Sequence, residues 1–279
     1  MRAILITGAS SGIGLCAANG LRARGYRVFA TARKAEDVES LRASGHESLQ
    51  LDLRDTDSIA TALEQILART DGTLYALFNN GAYGQPGAVE DLSRQILREQ
   101  FETNLFGTHE LTNRVLPIMR EQGHGRIIQN SSVLGFVALA YRGAYNASKH
   151  ALEGLSDTLR LELADTDIHV SLIEPGPIVS RFRANAYEAF KQNIDRKASA
   201  HRERYAKMMT RFEKTGPVSP GTLPPEAVLK RVIHALESPR PKPRYYVTYP
   251  TYLFATLRRV LPWTLLDRVA LKVSRDELR

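Results

Sequence analysis

Short apolar runs alternate along this chain with longer segments in which apolar residues recur at helical spacing. The runs are five or six residues long, which is typical of buried strands, and they cover residues 2–7, 26–30, 48–53, 74–78, 126–130 and 168–173. The segments between them have the period of amphipathic helices. Strands that alternate with helices in this way predict an α/β fold, with a doubly wound parallel sheet and helices on both faces.

The segment from residue 144 to residue 163 contains no proline and has helical periodicity. It carries Tyr145 and Lys149, which are four residues apart and therefore share one face of the predicted helix. An ammonium group beside a phenol favours the phenolate, so we expect the pKa of Tyr145 to lie below its usual value of about 10. Ser132 follows the fifth apolar run, where its hydroxyl can orient a carbonyl group in front of the phenol. Taken alone, the pattern also fits an ordinary solvated helix face.

The first apolar run ends in a glycine-rich turn, and a helical pattern follows it. Backbone N–H groups at such a helix N-terminus can bind a pyrophosphate, and the strand–turn–helix context gives the glycines their significance. The spacing is GxxxGxG (Gly8, Gly12 and Gly14) rather than GxGxxG. An ordinary turn between a strand and a helix is the alternative.

The end of the second predicted strand favours NADP over NAD as the cofactor. An NAD site usually has an acid there against the ribose 2′-hydroxyl, but residues 31–34 contain none. Arg33 offers a guanidinium suited to a 2′-phosphate, and Ser11 adds a hydroxyl; the alternative for Arg33 is an exposed surface cation. Asp52, at the end of the third run, either accepts a hydrogen bond from an adenine amino group or caps the following turn.

A long helical region from residue 93 to residue 122 carries Asn104 in its interior. Asparagine is a poor residue there, so it either faces solvent or belongs to a bent turn that holds a water molecule. All the polar candidates lie at the carboxyl end of a predicted strand or on the helix that follows. Ligands of doubly wound sheets bind at that edge, which supports one common site.

Composition limits the class of protein. With 43% apolar residues the chain can bury a sizeable core, and its single cysteine, Cys16, excludes an internal disulfide and fits a small buried side chain. The N-terminal apolar run is too short for a signal peptide or a membrane span, so we expect an intracellular, cytoplasmic protein.

The formal net charge of +8 is uneven, at −4 for residues 1–180 and +12 for residues 181–279. The basic residues are scattered among apolar ones, which argues against a nucleic acid partner; a solvated surface is favoured over contact with anionic lipid.

The motifs together resemble the short-chain dehydrogenase/reductase family. The resemblance spans residues 1–180 and rests on TGASSGIG, NNGA, Asn104, Ser132, YNASK and PGPIVS. The family usually has NNAG where this chain has Asn79-Asn80-Gly81-Ala82, and a threonine where this chain has Ser180. The subgroup most similar to this chain contains 17β-hydroxysteroid dehydrogenases, retinol dehydrogenases and bacterial NADP-dependent aldehyde reductases.

This resemblance implies a Rossmann-type fold with about seven strands, the last near residues 244–248, and it implies roles for individual residues. Tyr145 exchanges the proton, Ser132 orients the carbonyl, Lys149 bonds the nicotinamide ribose and lowers the tyrosine pKa, and Asn104 fixes a water molecule. The predicted cofactor-binding residues, besides Tyr145 and Lys149, are Gly8, Ser10, Ser11, Gly12, Ile13, Gly14, Arg33, Asp52, Asn80, Pro175, Gly176 and Ile178. No metal is implied, and family members commonly form homodimers or homotetramers.

The whole chain, residues 1–279, is expected to form a single dehydrogenase domain with two additions. Residues 182–220, in the position of the family's substrate lid, are expected to close over an apolar substrate, although plain packing on the core is the alternative. Residues 250–279 form a predicted amphipathic extension. Charges interrupt it too often for a membrane span, and a dimer contact or docking onto the fold is favoured over an interfacial helix.

The sequence therefore predicts an NADPH-dependent reductase of apolar aldehydes or ketones, with Tyr145 as the proton donor. A steroid or retinoid alcohol dehydrogenase that uses the same site is the alternative enzyme. A cofactor-binding sensor without turnover is the alternative of another class, disfavoured because both Tyr145 and Lys149 are present.

Overall fold

A computed structural model describes residues 1–214, 216 and 219–277 of the chain. Thr215, Pro217 and Val218 of the predicted lid, and Leu278 and Arg279 of the predicted extension, lie outside the described residues.

Seven parallel strands form one sheet in the order β3-β2-β1-β4-β5-β6-β7. The strands are β1 (Ala3–Ile6), β2 (Arg27–Ala32), β3 (Glu47–Gln50), β4 (Ala76–Asn79), β5 (Gly125–Asn130), β6 (Ile168–Glu174) and β7 (Arg244–Tyr246). The chain order reverses between β1 and β4, so the loops that follow these two strands diverge and leave a crevice at their carboxyl ends. The predicted doubly wound sheet is confirmed.

The helices cover both faces of this sheet. They are α1 (Gly12–Ala23), α2 (Ala35–Ala43), α3 (Thr56–Arg69), α4 (Arg94–Phe101), α5 (Gly107–Glu121), α6 (Gly143–Glu162), α7 (Phe182–Asn193), α8 (Arg202–Glu213), α9 (Glu226–Glu237), α10 (Tyr249–Val260) and α11 (Trp263–Asp276). On one face, Leu21 of α1 and Val232 of α9 pack on strand residues such as Ile4. On the other face, Ile59 of α3 and Val115 of α5 pack on Leu5 and its neighbours. Burying apolar side chains on both faces fixes the sheet as the rigid base of the site.

Three predicted helical regions are interrupted. The region from 93 to 122 contains a π-helical turn at Glu102–Phe106, between α4 and α5. The lid region divides into α7 and α8, and the extension into α10 and α11, which are separated at Leu261 and Pro262. Proline fixes its own φ and disfavours the helical conformation of the residue before it, which accounts for the last break.

Much of the lid region packs on the rest of the fold. Phe190, Tyr205 and Met208 are buried in one cluster with Ala88 and Ala144. For these residues the structure shows plain packing on the fold, while Phe182 at the start of α7 contacts Tyr145.

In the part of the chain that the structure describes, no helix combines the length and apolar character that crossing a bilayer requires.

Candidate active site

Helix α6 holds Tyr145 and Lys149 on one face at the carboxyl edge of the sheet. Lys149 is only 3% exposed, and its Nζ lies 5.8 Å from the centre of the Tyr145 ring. The ammonium donates a hydrogen bond of 2.7 Å to the backbone oxygen of Asn130, at the end of β5. The predicted pair is therefore brought together, and the lysine is held by the sheet.

Ser132 lies directly opposite this pair. It follows β5 in an extended conformation, and its Oγ accepts a hydrogen bond of 3.1 Å from the N–H of Leu134. This bond fixes the side chain, with its hydroxyl beside the phenol of Tyr145. A carbonyl oxygen between these two hydroxyls would receive hydrogen bonds from both.

The electrostatics of the pair differ from the sequence-based expectation. Burial raises the pKa of Tyr145 to about 12, and the hydrogen bond with Ser132 only partly opposes that shift. Burial also lowers the pKa of Lys149 to about 8, against the attraction of Glu153. The tyrosine pKa therefore does not lie below its usual value as expected from the sequence, because desolvation disfavours the charged form of both groups.

A chain of amide and hydroxyl groups connects Lys149 to the glycine turn. Asn130 Nδ2 donates to Asn80 Oδ1 at 2.9 Å, and Asn80 Nδ2 donates to the backbone oxygens of Thr7 and Gly8, each at 3.0 Å. The N–H groups of Asn80 and Gly81 donate to Thr7 Oγ1 at 3.0 and 2.8 Å. The ends of β1, β4 and β5 and helix α6 are thus joined in one network.

The glycine turn is shaped so that side chains would block it. Gly8 and Gly12 have φ values of +64° and +55°, in the left-handed region that favours glycine. A Cβ on Gly14 would lie 2.3 Å from the Gly8 oxygen, and one on Gly8 would lie 2.8 Å from the Cα of Gly81. A Cβ on Gly81 would lie 3.1 Å from the Leu53 side chain and 3.2 Å from Thr7 Oγ1, a tight fit that favours glycine there and accounts for the NNGA order. Ser10, Ser11 and Ile13 line the same turn, half-buried, at the start of α1.

These observations fit a dinucleotide at the site. The first turn of α1 points backbone N–H groups and the positive end of the helix dipole toward the crevice, as a pyrophosphate requires. Arg33 is exposed just after β2, in the predicted position.

The Asp52 carboxylate is hydrogen-bonded within the protein. Its carboxylate accepts hydrogen bonds from the N–H and the guanidinium of Arg54, at 3.0 and 3.1 Å. Hydrogen bonds from Arg54 keep the carboxylate pKa low despite burial. Of the two alternatives left open for this residue, the turn cap is the one that the contacts show.

Asn104 is 1% exposed and lies in the π-helical turn, so the alternative of a solvent-facing position is excluded. Its Nδ2 donates to the Tyr83 oxygen at 2.9 Å and to Ser148 Oγ at 3.1 Å, while its Oδ1 accepts from the Tyr83 N–H at 3.1 Å. The amide therefore ties α6 to the loop after β4. Turns of this type shift backbone carbonyls out of helical register and are frequent at functional sites.

The loop after β6 forms the remaining wall. The Pro175 oxygen accepts a 2.9 Å hydrogen bond from Val133, next to Ser132. A Cβ on Gly176 would lie 2.2 Å from Thr248 Oγ1, so glycine permits the close approach of the residue that precedes α10. Ile178 pairs with Leu223, and Ser180 Oγ accepts a 3.3 Å hydrogen bond from the N–H of Phe182.

Three residues of the site were not singled out from the sequence. Thr7 and Asn130 end β1 and β5, so the rule that ligands gather at strand ends could have identified them. The third, Phe182, packs edge-on against the Tyr145 ring with centroids 5.2 Å apart, and its ring fills the space that a Cβ on Gly84 would need. The sequence gives no signal for this contact because the two residues are 37 positions apart.

Comparison with known proteins agrees with this geometry. The profile of the short chain dehydrogenase family matches residues 2–190. This chain belongs to that family, and its fold and nicotinamide-type site define it as an oxidoreductase.

Individual relatives cover nearly all of the chain. It is 41% identical to the uncharacterized oxidoreductase YbbO of Escherichia coli, over 96% of this chain and 93% of that protein. It is 31% identical to the NADPH-dependent 3-dehydrocapnine reductase of Ornithobacterium rhinotracheale, over 98% of this chain and 97% of that protein. Human 17-beta-hydroxysteroid dehydrogenase type 1 is 32% identical over 88% of this chain and 77% of that protein, which confirms the subgroup resemblance. The crystal structure of a short-chain dehydrogenase from Streptomyces avermitilis superposes with a TM-score of 0.75 and 28% identity, over 96% of this chain and 97% of that one.

Proposed function

We propose that this protein is an NADPH-dependent reductase that converts an apolar aldehyde or ketone to its alcohol. The observation that carries the proposal is the placement of the Ser132 hydroxyl beside the Tyr145 phenol, next to the buried ammonium of Lys149. A pair of hydroxyls in front of a nicotinamide site is suited to a carbonyl oxygen that becomes an alkoxide during reduction.

The roles of the side chains follow from their chemistry. Tyr145, with a pKa raised to about 12, is a neutral phenol at physiological pH and donates its proton to the oxygen as negative charge develops. Ser132 donates a second hydrogen bond and fixes the direction of the carbonyl. Lys149, held by Asn130, holds positive charge beside the phenol when protonated and is placed to bond a ribose hydroxyl. Reduced nicotinamide, when bound, supplies the hydride.

Arg33 supports NADPH as the cofactor. It is exposed just beyond β2, and the neighbouring residues 31–34 include no carboxylate to repel a 2′-phosphate. The Asp52 carboxylate is paired with Arg54, so its negative charge is neutralised and does not repel a 2′-phosphate. The relative named for NADPH-dependent reduction of 3-dehydrocapnine gives independent support.

An apolar substrate is supported by the walls of the cleft. Phe182, at 38% exposure, contacts Tyr145, and Val179, at 52%, follows the Pro175–Ile178 loop. Exposed apolar side chains grouped around a polar catalytic pair are typical of a binding site for an apolar ligand. We infer that the start of α7 closes over the substrate, while Phe190, Tyr205 and Met208 anchor α7 and α8 to the fold.

The direct test is a screen of NADPH oxidation against straight-chain aldehydes and methyl ketones of increasing length. We expect kcat/KM to rise with chain length, because each buried methylene adds about 0.8 kcal/mol of binding. No oxidation of NADPH with any carbonyl, although NADPH binds, would overturn the proposal and favour a cofactor sensor.

A steroid or retinoid alcohol dehydrogenase is the second candidate. The identity with 17-beta-hydroxysteroid dehydrogenase type 1 supports it, and the same Ser132–Tyr145 pair would serve. Including a steroid ketone and retinal in the screen separates the two candidates: a polycyclic or polyene carbonyl that outperforms every straight chain would favour the second.

A further inference from the structure

Helices α10 and α11 expose an unusual share of apolar surface. They contain seven of the fourteen large apolar side chains exposed among the described residues. In α10, Thr251, Phe254 and Ala255 are buried against the fold. Tyr249, Leu253, Thr256 and Val260 recur at helical spacing on the opposite side and are exposed, with Tyr249 at 73% and Val260 at 66%. Trp263, at 72%, is also exposed, at the start of α11.

Basic residues outnumber acidic ones on the exposed surface of the two helices. The exposed cations of the two helices are Arg258, Arg259, Arg268, Lys272 and Arg275. Glu277, which follows α11, forms ion pairs with Arg142 and Arg211 of the fold, so its charge is already neutralised. Asp267 and Asp276 of α11 are also exposed, so five cations stand against two acids and the net charge stays positive beside the exposed tryptophan, tyrosine and aliphatic groups.

We propose that the face formed by α10 and α11 docks on an anionic lipid surface. The apolar stripe enters the boundary between headgroups and acyl chains, Trp263 lies at the headgroup level, and the surrounding arginine and lysine side chains bind lipid phosphates. The helices lie in the plane of the interface, since neither is long enough to cross the bilayer.

Charge favours lipid over a second copy of the chain. In a twofold dimer each surface meets its own copy, so the cations around the stripe would face cations of the partner. Like charges brought together across an interface oppose association, whereas a layer of lipid phosphates complements the whole face. The face also carries more charged residues than the core of an obligate dimer interface, which is depleted in them.

The docking face is coupled to the site through packing. Phe254, Ala255 and Leu266 pack on Phe136 and Val137, in the loop that begins with Ser132. A protein docked through this face would hold its catalytic cleft close to a pool of apolar carbonyl compounds dissolved in the membrane. The docking itself does not depend on the proposed function and is measured separately from it.

Trp263 makes the proposal directly testable, because it is the only tryptophan of the chain and sits at the predicted point of contact. The full chain is titrated with vesicles of equal parts phosphatidylglycerol and phosphatidylcholine, and with vesicles of phosphatidylcholine alone. We expect a blue shift of the emission and co-sedimentation with the anionic vesicles, both weakened at high salt.

Two variants and one control sharpen the measurement. Val260→Asp places a charge in the stripe, and Arg259→Glu reverses a charge at its edge; each is expected to weaken the apparent affinity for anionic vesicles about tenfold. Leu161→Asp changes an equally exposed side chain (69%) on α6, outside the docking face, and is expected to bind as the unmodified protein does. Circular dichroism and NADPH affinity verify that all three variants are folded.

Three outcomes would overturn the proposal. The first is an emission spectrum that does not respond to anionic vesicles. The second is vesicle binding that Val260→Asp and Leu161→Asp weaken equally. The third is a blue shift that appears without vesicles, depends on protein concentration and accompanies a dimer mass in ultracentrifugation. The last outcome would identify a second copy as the occupant of this face.

Discussion

At the scale of single residues, burial dominates the chemistry of the candidate site. Tyr145 and Lys149 share a face of α6, yet desolvation moves their pKa values away from the charged forms, the phenol to about 12 and the ammonium to about 8. The arrangement suits a phenol that starts as an acid, which is the form required to reduce a carbonyl.

Replacing Tyr145 with phenylalanine removes the proposed acid and leaves the ring in place. We expect turnover to fall by about two to four orders of magnitude, the usual contribution of a positioned proton donor, while NADPH affinity changes little. Steady-state kinetics and fluorescence titration with NADPH measure the two quantities. Substantial residual turnover would contradict the assignment.

The lowered pKa of Lys149 predicts a pH dependence. Lysine is charged below its pKa, so the ammonium beside the phenol is present at low pH and is lost as the pH rises through about 8. We expect kcat/KM for carbonyl reduction to decrease over the same range. A profile that stays flat from pH 6 to pH 10 would show that this charge does not contribute.

Arg33 is the position that decides cofactor preference under our proposal. Arg33→Asp replaces a partner for the 2′-phosphate with a group suited to a 2′-hydroxyl, and we expect the ratio of kcat/KM for NADPH over NADH to fall by about tenfold or more. Arg24→Asp, an exposed arginine at the far end of α1 that pairs with Glu237, serves as the control. An unchanged ratio in Arg33→Asp would count against NADP.

At the scale of elements, interruptions in the helices decide where side chains at and near the candidate site point. The π-helical turn at Glu102–Phe106 turns Asn104 inward, and the break after α7 lets Tyr205 of α8 pack back onto Phe190. A continuous helix in either place would direct these side chains elsewhere.

Phe182→Ala tests the role of the start of α7. Removing the ring that contacts Tyr145 opens the cleft, so we expect kcat/KM for the longest reactive carbonyl to fall about tenfold, with little change for the shortest and for NADPH affinity. Leu155→Ala, which shortens an exposed side chain on the outer side of α6, is the matched control. An equal loss for all chain lengths would mean that Phe182 supports the catalytic pair rather than the substrate.

At the scale of the whole molecule, one buried ionic cluster ties the last strand to the fold. Arg244 of β7 forms ion pairs with Glu153 and Asp157 of α6 and with Glu174 of β6, and Glu174 is fully buried. Burial and the neighbouring Glu153 raise the pKa of Glu174 to about 8, so the cluster is sensitive to the loss of its cation.

Arg244→Met should destabilise the protein by about 2 to 3 kcal/mol, because it leaves buried carboxylates without a cation. The loss should shrink at acidic pH, where the carboxyl groups bind protons. Arg160→Met, which removes only a surface pair with Asp157, should cost less than about 1 kcal/mol. Urea unfolding at pH 5 and pH 8 measures both; equal losses in the two variants would contradict the prediction.

The sequence predicts the sheet and most of its strand ends well, because apolar runs and turn residues are local signals. It also brings Ser132, Tyr145 and Lys149 together, since each position is defined relative to a strand end or a helix face. The π-helical turn, the contact of Phe182 with Tyr145 and the pKa of the phenol are not predicted. These depend on packing between distant segments and on the resulting desolvation, which no local pattern records.

The link from Thr7 through Asn80 and Asn130 to Lys149 has a practical meaning for redesign. Loops that meet at one edge of a sheet are often exchanged as separate parts, but here the glycine turn and helix α6 are joined by hydrogen bonds through shared amide groups. An engineer who wishes to change the cofactor should therefore alter only the rim at Arg33, since a graft of the whole turn would disturb the reacting end of the cleft as well.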